Sequence, residues 1–171
     1  VVSCSCGPES FAPDAPVWKD SAKSGRGAST MATVTDQMVQ DFQRDGVVLV
    51  KGLWADWVDL LRAGVERNMA APSEYAAENL KPGEGGRFFD DYCNWQRIPE
   101  YEEFIRTSPA AHIARELMQS DHVRLYHDHL LVKEPKTQQR TPWHQDQPYY
   151  NVDGRINVSM WMPLDPVPRE S

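Results

Sequence analysis

The sequence predicts an α+β domain, with helices first and then a run of strands that begins a β-barrel or jelly roll. Three observations carry this. Apolar residues recur at helical spacing in segments between residues 35 and 118. After Asp121 the pattern turns strand-like. Finally, "INVSMWMPL" alternates strictly, with Ile156, Val158, Met160 and Met162 on one face and Asn157, Ser159 and Trp161 on the other. A strand with one greasy and one sparse polar face suits a barrel wall, apolar side toward packed helices and polar side toward a small lumen.

Each element follows from its residues. "TDQMVQDFQRDG" offers Thr35 as N-cap, Met38, Val39 and Phe42 on one helical face, and Gly46 as the stop. "VVLVKG" reads as a short buried strand. "ADWVDLLRAGVERNMAAP" sets Val58, Leu61, Val65 and Met69 on one stripe of a helix that ends before Pro72. "KPGEGG" is a loop and "RFFDDYCNW" a strand, while "SPAAHIARELM" is a helix with Ser108 capping and Pro109 in its first turn. "HVRLYHDHLLVKE" is the next strand, followed by a loop holding Pro135 and Pro142.

Residues 1–30 are rich in Ser, Pro, Gly and Ala without apolar periodicity, and read as a disordered or leader segment before a domain over 31–171. Met31 is a candidate natural start, and the ending "PVPRES", with no closing element, suggests a fragment. The charges within 1–30 cancel, so the net −7 belongs to residues 31–171. With a pI near 5.2, this balance argues against a nucleic-acid or anionic-membrane partner. No apolar run approaches the ~20 residues that span a bilayer, which leaves a soluble, intracellular (cytoplasmic) protein as the default expectation. Cys4, Cys6 and Cys93 have neither zinc-ribbon nor disulfide spacing; the Cys-x-Cys pair reads as part of a tail.

The chemistry concentrates in "TPWHQDQPYY". Residues i and i+2 of an extended segment project to the same side, so His144 and Asp146 are candidate ligands of one ion. Two histidines and one carboxylate on one octahedral face leave three positions open, which suits non-haem Fe(II) oxygenases. The plainer alternative is a polar loop in which Asp146 caps a turn and His144 faces water. His127 and His129 share one face of the preceding strand and are placed to line the same lumen. They raise a rival, since His127, His129 and Glu134 in "HDHLLVKE" fit the ligand spacing of cupin metal sites without the flanking glycines. His112 reads as a surface or packing residue, and Tyr149 and Tyr150 as wall packing rather than substrate contacts.

"YHDHLLVKEPKTQQRTPWHQDQPYYNVDGRINVSMWMPLDPVPRES", with "FFDDYCNWQRIPEYEEF" and the opening at 36–52, resembles the phytanoyl-CoA dioxygenase family of Fe(II)- and 2-oxoglutarate-dependent oxygenases. The resemblance implies a double-stranded β-helix core, jelly-roll or cupin-like, with helices packed outside it and incomplete in this chain. It makes His144 and Asp146 the first two iron ligands. Trp161 and His129 become positions lining the 2-oxoglutarate site, with His127 facing the same way. It sets Lys133 in a "KxP" pattern and Arg87 at the start of a strand that supplies a pocket residue in relatives. The implied reaction hydroxylates a small organic substrate while O2 converts 2-oxoglutarate to succinate and CO2. No residue of this chain is implied as a catalytic acid, base or nucleophile. The family's second iron histidine and its 2-oxoglutarate arginine are expected after Ser171, so the 171-residue chain alone is expected to be inactive. A barrel that has kept the fold and lost the chemistry is the remaining alternative.

Overall fold

The computed structural model describes residues 2–5, 17–18, 34–83, 85–151, 154 and 156–169. In chain order the elements are β1 (Val2–Ser5), β2 (Val17–Trp18), α1 (Asp36–Asp45), a 3-10 turn (Ala55–Trp57), α2 (Val58–Ala70), β3 (Ala77–Glu78), β4 (Phe88–Tyr92), α3 (Pro99–Thr107), α4 (Ala110–Met118), β5 (Val123–Lys133), a second 3-10 turn (Gln147–Tyr149) and β6 (Asn157–Met160). The rest of segment 1–30, including Cys6, lies outside the described residues, as do Val152 and Asp153.

The class is α+β. One antiparallel sheet has the order β3-β4-β5-β1-β6, and β2 also pairs with β5. β5 is its spine, bonded to β4 along His129–Lys133 and to β1 along Arg124–Asp128. Opposite β1 the register skips Tyr126, with Ser3 facing His127 and Cys4 facing Leu125. This one-residue bulge changes the phase of β5. Val123 and Leu125 enter the core before it, Asp128 is the buried residue after it, and His127 and His129 take the other side.

The core lies between the helices and this sheet. Phe104 and Ile105 of α3 and Ile113, Ala114 and Leu117 of α4 pack with Val123, Leu125, Val158 and Met160. The alternation expected of β6 therefore holds across the strand: Val158 and Met160 are buried and Ser159 is exposed. α1 begins and ends as its sequence dictates. The Thr35 hydroxyl accepts from Met38 N at 3.2 Å, and Gly46 adopts φ 73 while its N–H reaches Phe42 O at 2.8 Å.

"VVLV" departs from expectation. Residues 47–50 form no strand, and Val47 and Leu49 are 68% and 75% exposed. The apolar run is a connector between α1 and the first 3-10 turn. Only its inward side, Val48, packs on the core, because among the described residues no strand pairs with it. α2 is turned slightly from the predicted stripe, since its buried residues are Leu61, Gly64 and Asn68. Asn68 is buried because its amide donates to Asp91 Oδ2 at 2.7 Å.

Two carboxylates fix the β4 end of the sheet. Asp91, fully buried, also accepts from Ser73 N at 2.9 Å, from the Ser73 hydroxyl and from Tyr92 N at 2.8 Å. Burial opposes its charge, and these donors overcome that and hold its pKa down at about 2. Asp128 accepts from Asn94 N and Trp95 N, each at 3.0 Å, capping the turn that leads into α3. The middle residue of "HDH" is thus structural, and the histidines beside it face the other way.

Candidate metal centre

The loop that carries the His-x-Asp triplet is anchored at both ends. Lys133, at the end of β5, donates to Gln139 O at 3.2 Å and to Thr141 Oγ1 at 3.1 Å, and its Nζ lies 4.4 Å from the centre of the Phe88 ring. Glu134 N donates to Arg87 O at 2.8 Å while its carboxylate accepts from Arg87 N at 3.2 Å. Gly86, with φ 81, lets the loop close. A Cβ there would stand 2.5 Å from both Pro135 O and Thr137 N. Lys133 and Glu134 are thereby committed to the loop base, and the Arg87 side chain is paired with Glu78 and stacked 5.0 Å over Phe89.

At the far end of this loop His144 Nε2 lies 3.3 Å from Asp146 Oδ1, so the two side chains share one side of the backbone. Both are well exposed, at 39% and 47% of their side-chain surface. His144 Nδ1 is 2.8 Å from Pro142 O. A carbonyl only accepts, so Nδ1 carries a proton, and the tautomer this contact selects has its lone pair on Nε2. Asp146 Oδ2 accepts from the Tyr150 hydroxyl at 3.2 Å and from the Ser159 hydroxyl at 3.3 Å. The outer atoms of both ligand candidates are therefore occupied, and the inner pair, Nε2 and Oδ1, faces a common point. Their separation is close to the ~3 Å between neighbouring ligands each ~2.1 Å from one metal ion. One imidazole nitrogen and one carboxylate oxygen are the donor types a divalent transition metal takes.

Behind this pair the wall is aromatic. The His127 ring stands edge-on to Tyr150 (centroids 5.7 Å apart, 82°), and Tyr92 stacks on His129 at 3.9 Å and on His127 at 6.1 Å. Burial pushes the His127 pKa down, partly opposed by the negative charge of Asp146. Burial also pushes His129 down to about 4, although Asp90 Oδ2, 3.6 Å from its Nε2, pulls the other way. Both rings are neutral near pH 7 as a result. Among the described residues His127 Nδ1 is buried without a hydrogen-bond partner.

Of the expected site residues, the structure brings together His144 and Asp146, with His127 adjoining through Tyr150. His129 sits further along β5 against Tyr92 and Asp90. Trp161 follows β6 two residues after Ser159 and is 64% exposed. The rival trio does not close, because Glu134 is held at Arg87 and, among the described residues, no three His, Cys, Asp or Glu side chains converge to hold a metal. Sequence reasoning missed the two hydroxyls on Asp146. The polar-face position of Ser159 was legible, but that it reaches Asp146 across thirteen residues was not.

The family model described as Phytanoyl-CoA dioxygenase (PhyH) matches residues 42–171. No curated protein and no solved structure matches the chain.

Proposed function

The chain belongs to the phytanoyl-CoA dioxygenase family, whose members are Fe(II)- and 2-oxoglutarate-dependent oxygenases acting on small molecules, and from that premise we propose that it holds Fe(II) through His144 Nε2 and Asp146 Oδ1. The observation that supports this most is the paired orientation: Pro142 O takes the outer nitrogen of the imidazole, two hydroxyls take the outer oxygen of the carboxylate, and the inner atoms converge. Bound Fe(II) would supply the activation of O2 that couples conversion of 2-oxoglutarate to succinate and CO2 with hydroxylation of a small organic substrate.

The chain's own residues prepare that chemistry in three ways. Asp146 brings the negative charge that offsets part of the cation's, while His144 brings a neutral nitrogen donor whose tautomer is already set. His127 and His129 of β5, with Tyr92 of β4 stacked on both, form an aromatic wall behind the pair. In this reading His129, His127 and Trp161 line the 2-oxoglutarate position, and residues 31–171 act as one oxygenase domain. The sheet is one wall of a double-stranded β-helix, with Ser159 on its lumen face and Val158 and Met160 toward the helices.

Succinate formation from 2-oxoglutarate, measured with Fe(II) and O2 on the natural polypeptide that carries this sequence, tests the proposal. Turnover is expected, with loss in His144→Ala and Asp146→Ala. Absence of turnover supports a barrel without the chemistry. Turnover that survives His144→Ala refutes the iron assignment.

A further inference from the structure

We propose that Tyr150 and Ser159 are positioning residues that fix which oxygen of Asp146 meets the metal; the inference rests on the iron-site reading above. A carboxylate offers two equivalent oxygens, and rotation about its last bond exchanges them. Here the exchange is broken. The Tyr150 and Ser159 hydroxyls both donate to Oδ2, at 3.2 and 3.3 Å, and stand 3.4 Å from one another. With each proton directed at the carboxylate, Oδ2 is saturated from one side and Oδ1 is left toward His144 Nε2.

The two hydroxyls arrive from different parts of the fold. Ser159 comes from the polar face of β6, between the buried Val158 and Met160, so its direction is set by the core. Tyr150 leaves the 3-10 turn Gln147–Tyr149, and its ring is set by β5. Tyr126 lies 4.8 Å from it and His127 lies edge-on at 5.7 Å. The bulge at Tyr126 is what lets two successive β5 residues reach one ring, and the Tyr126 hydroxyl in turn accepts from Asn151 N at 3.0 Å. A single exposed hydroxyl–carboxylate bond contributes little against water. Two that converge on one oxygen, from a strand and a ring already ordered by packing, orient the ligand before the metal arrives. Partners of this kind typically change metal affinity by about 10- to 100-fold.

Titration with Co(II) alone, followed by visible absorption, together with thermal unfolding of the metal-free protein, tests this on wild type, Tyr150→Phe and Ser159→Ala. Phenylalanine keeps the ring that Tyr126 and His127 hold and removes only the hydroxyl. The expected result for Tyr150→Phe is Co(II) binding weakened about 10- to 100-fold, a changed absorption band of the bound ion and an unchanged unfolding temperature. Ser159→Ala gives a smaller loss of the same kind. Wild-type affinity and spectrum in Tyr150→Phe overturn the inference, as does a loss of affinity that only tracks a fall in unfolding temperature. Failure of the wild type to bind Co(II), or binding that survives His144→Ala, overturns the iron-site reading and this inference with it.

Discussion

Replacing Asp91 by asparagine removes the charge that organises the β4 end of the sheet and, through Tyr92, the ring that stacks on His129. The structure sets the size of the effect. The carboxyl is fully buried and its pKa is held at about 2, against 3.8 for the free side chain. That gap corresponds to about 2 kcal/mol of folding stability near neutral pH. An asparagine amide also turns one acceptor into a donor facing Asn68 or Ser73, which adds about 1 kcal/mol for an opposed or unsatisfied group. The expected loss at pH 7 is therefore about 3 kcal/mol, a large share of the ~5–15 kcal/mol of a typical domain. The sign with pH follows from a folded pKa below the unfolded one. The contribution is complete above about pH 5 and disappears as pH falls through 3.8 toward about 2. Chemical denaturation of wild type and Asp91→Asn from pH 7 to pH 2 reads both numbers, because other acids cancel in the difference. Their stabilities should converge as the pH drops. A loss under about 1 kcal/mol at pH 7, or two curves that fall in parallel to pH 2, refutes the reasoning.

Three further outcomes follow from the packing. Phe104, 1% exposed and edge-on to Trp54 and Trp57 at 5.3 Å, anchors the helical side of the core, so Phe104→Ala should cost about 3–5 kcal/mol by denaturant unfolding. Lys133→Met removes the two hydrogen bonds that Lys133 donates to the 134–141 loop and leaves the core untouched; limited proteolysis should cut this loop faster with an unchanged unfolding midpoint. The His129 ring should remain neutral until pH falls to about 4, and Asp90→Asn, which removes an attractive charge beside it, should lower that value further; ring-proton NMR titration reads both.

Local signals carried the elements whose causes are local. Thr35 and Gly46 bound α1 where capping chemistry places them, and the alternation of "INVSMWMPL" gave the buried and exposed faces of β6 across its four residues. What could not be read depends on partners distant in sequence. "VVLV" has the composition of a buried strand, but burial needs a neighbour on each side, and among the described residues this connector packs on the core only through Val48. Asn68 lies one helical position from the apolar stripe and is fully buried only because Asp91, on another element, receives its amide. The same holds at the site. That His144 and Asp146 share one side of the backbone was legible from their spacing, whereas the two hydroxyls that donate to Asp146 depend on a bulge in β5 and on the approach of β6. The trio His127, His129 and Glu134 matched a ligand spacing, and fails because the backbone of Arg87 holds the carboxylate at the other end of the strand.

The most direct test of the metal assignment is paramagnetic line broadening by Mn(II) in the NMR spectrum of the isotope-labelled chain. Substoichiometric Mn(II) should first broaden the signals of His144, Asp146, Tyr150 and Ser159, and His144→Ala should abolish that pattern while Glu134→Ala preserves it. Broadening centred elsewhere, on the acidic surface of Asp36, Glu116 and Asp121 for example, or a pattern unchanged by His144→Ala, would contradict the claim that imidazole 144 and carboxylate 146 form one metal-binding pair.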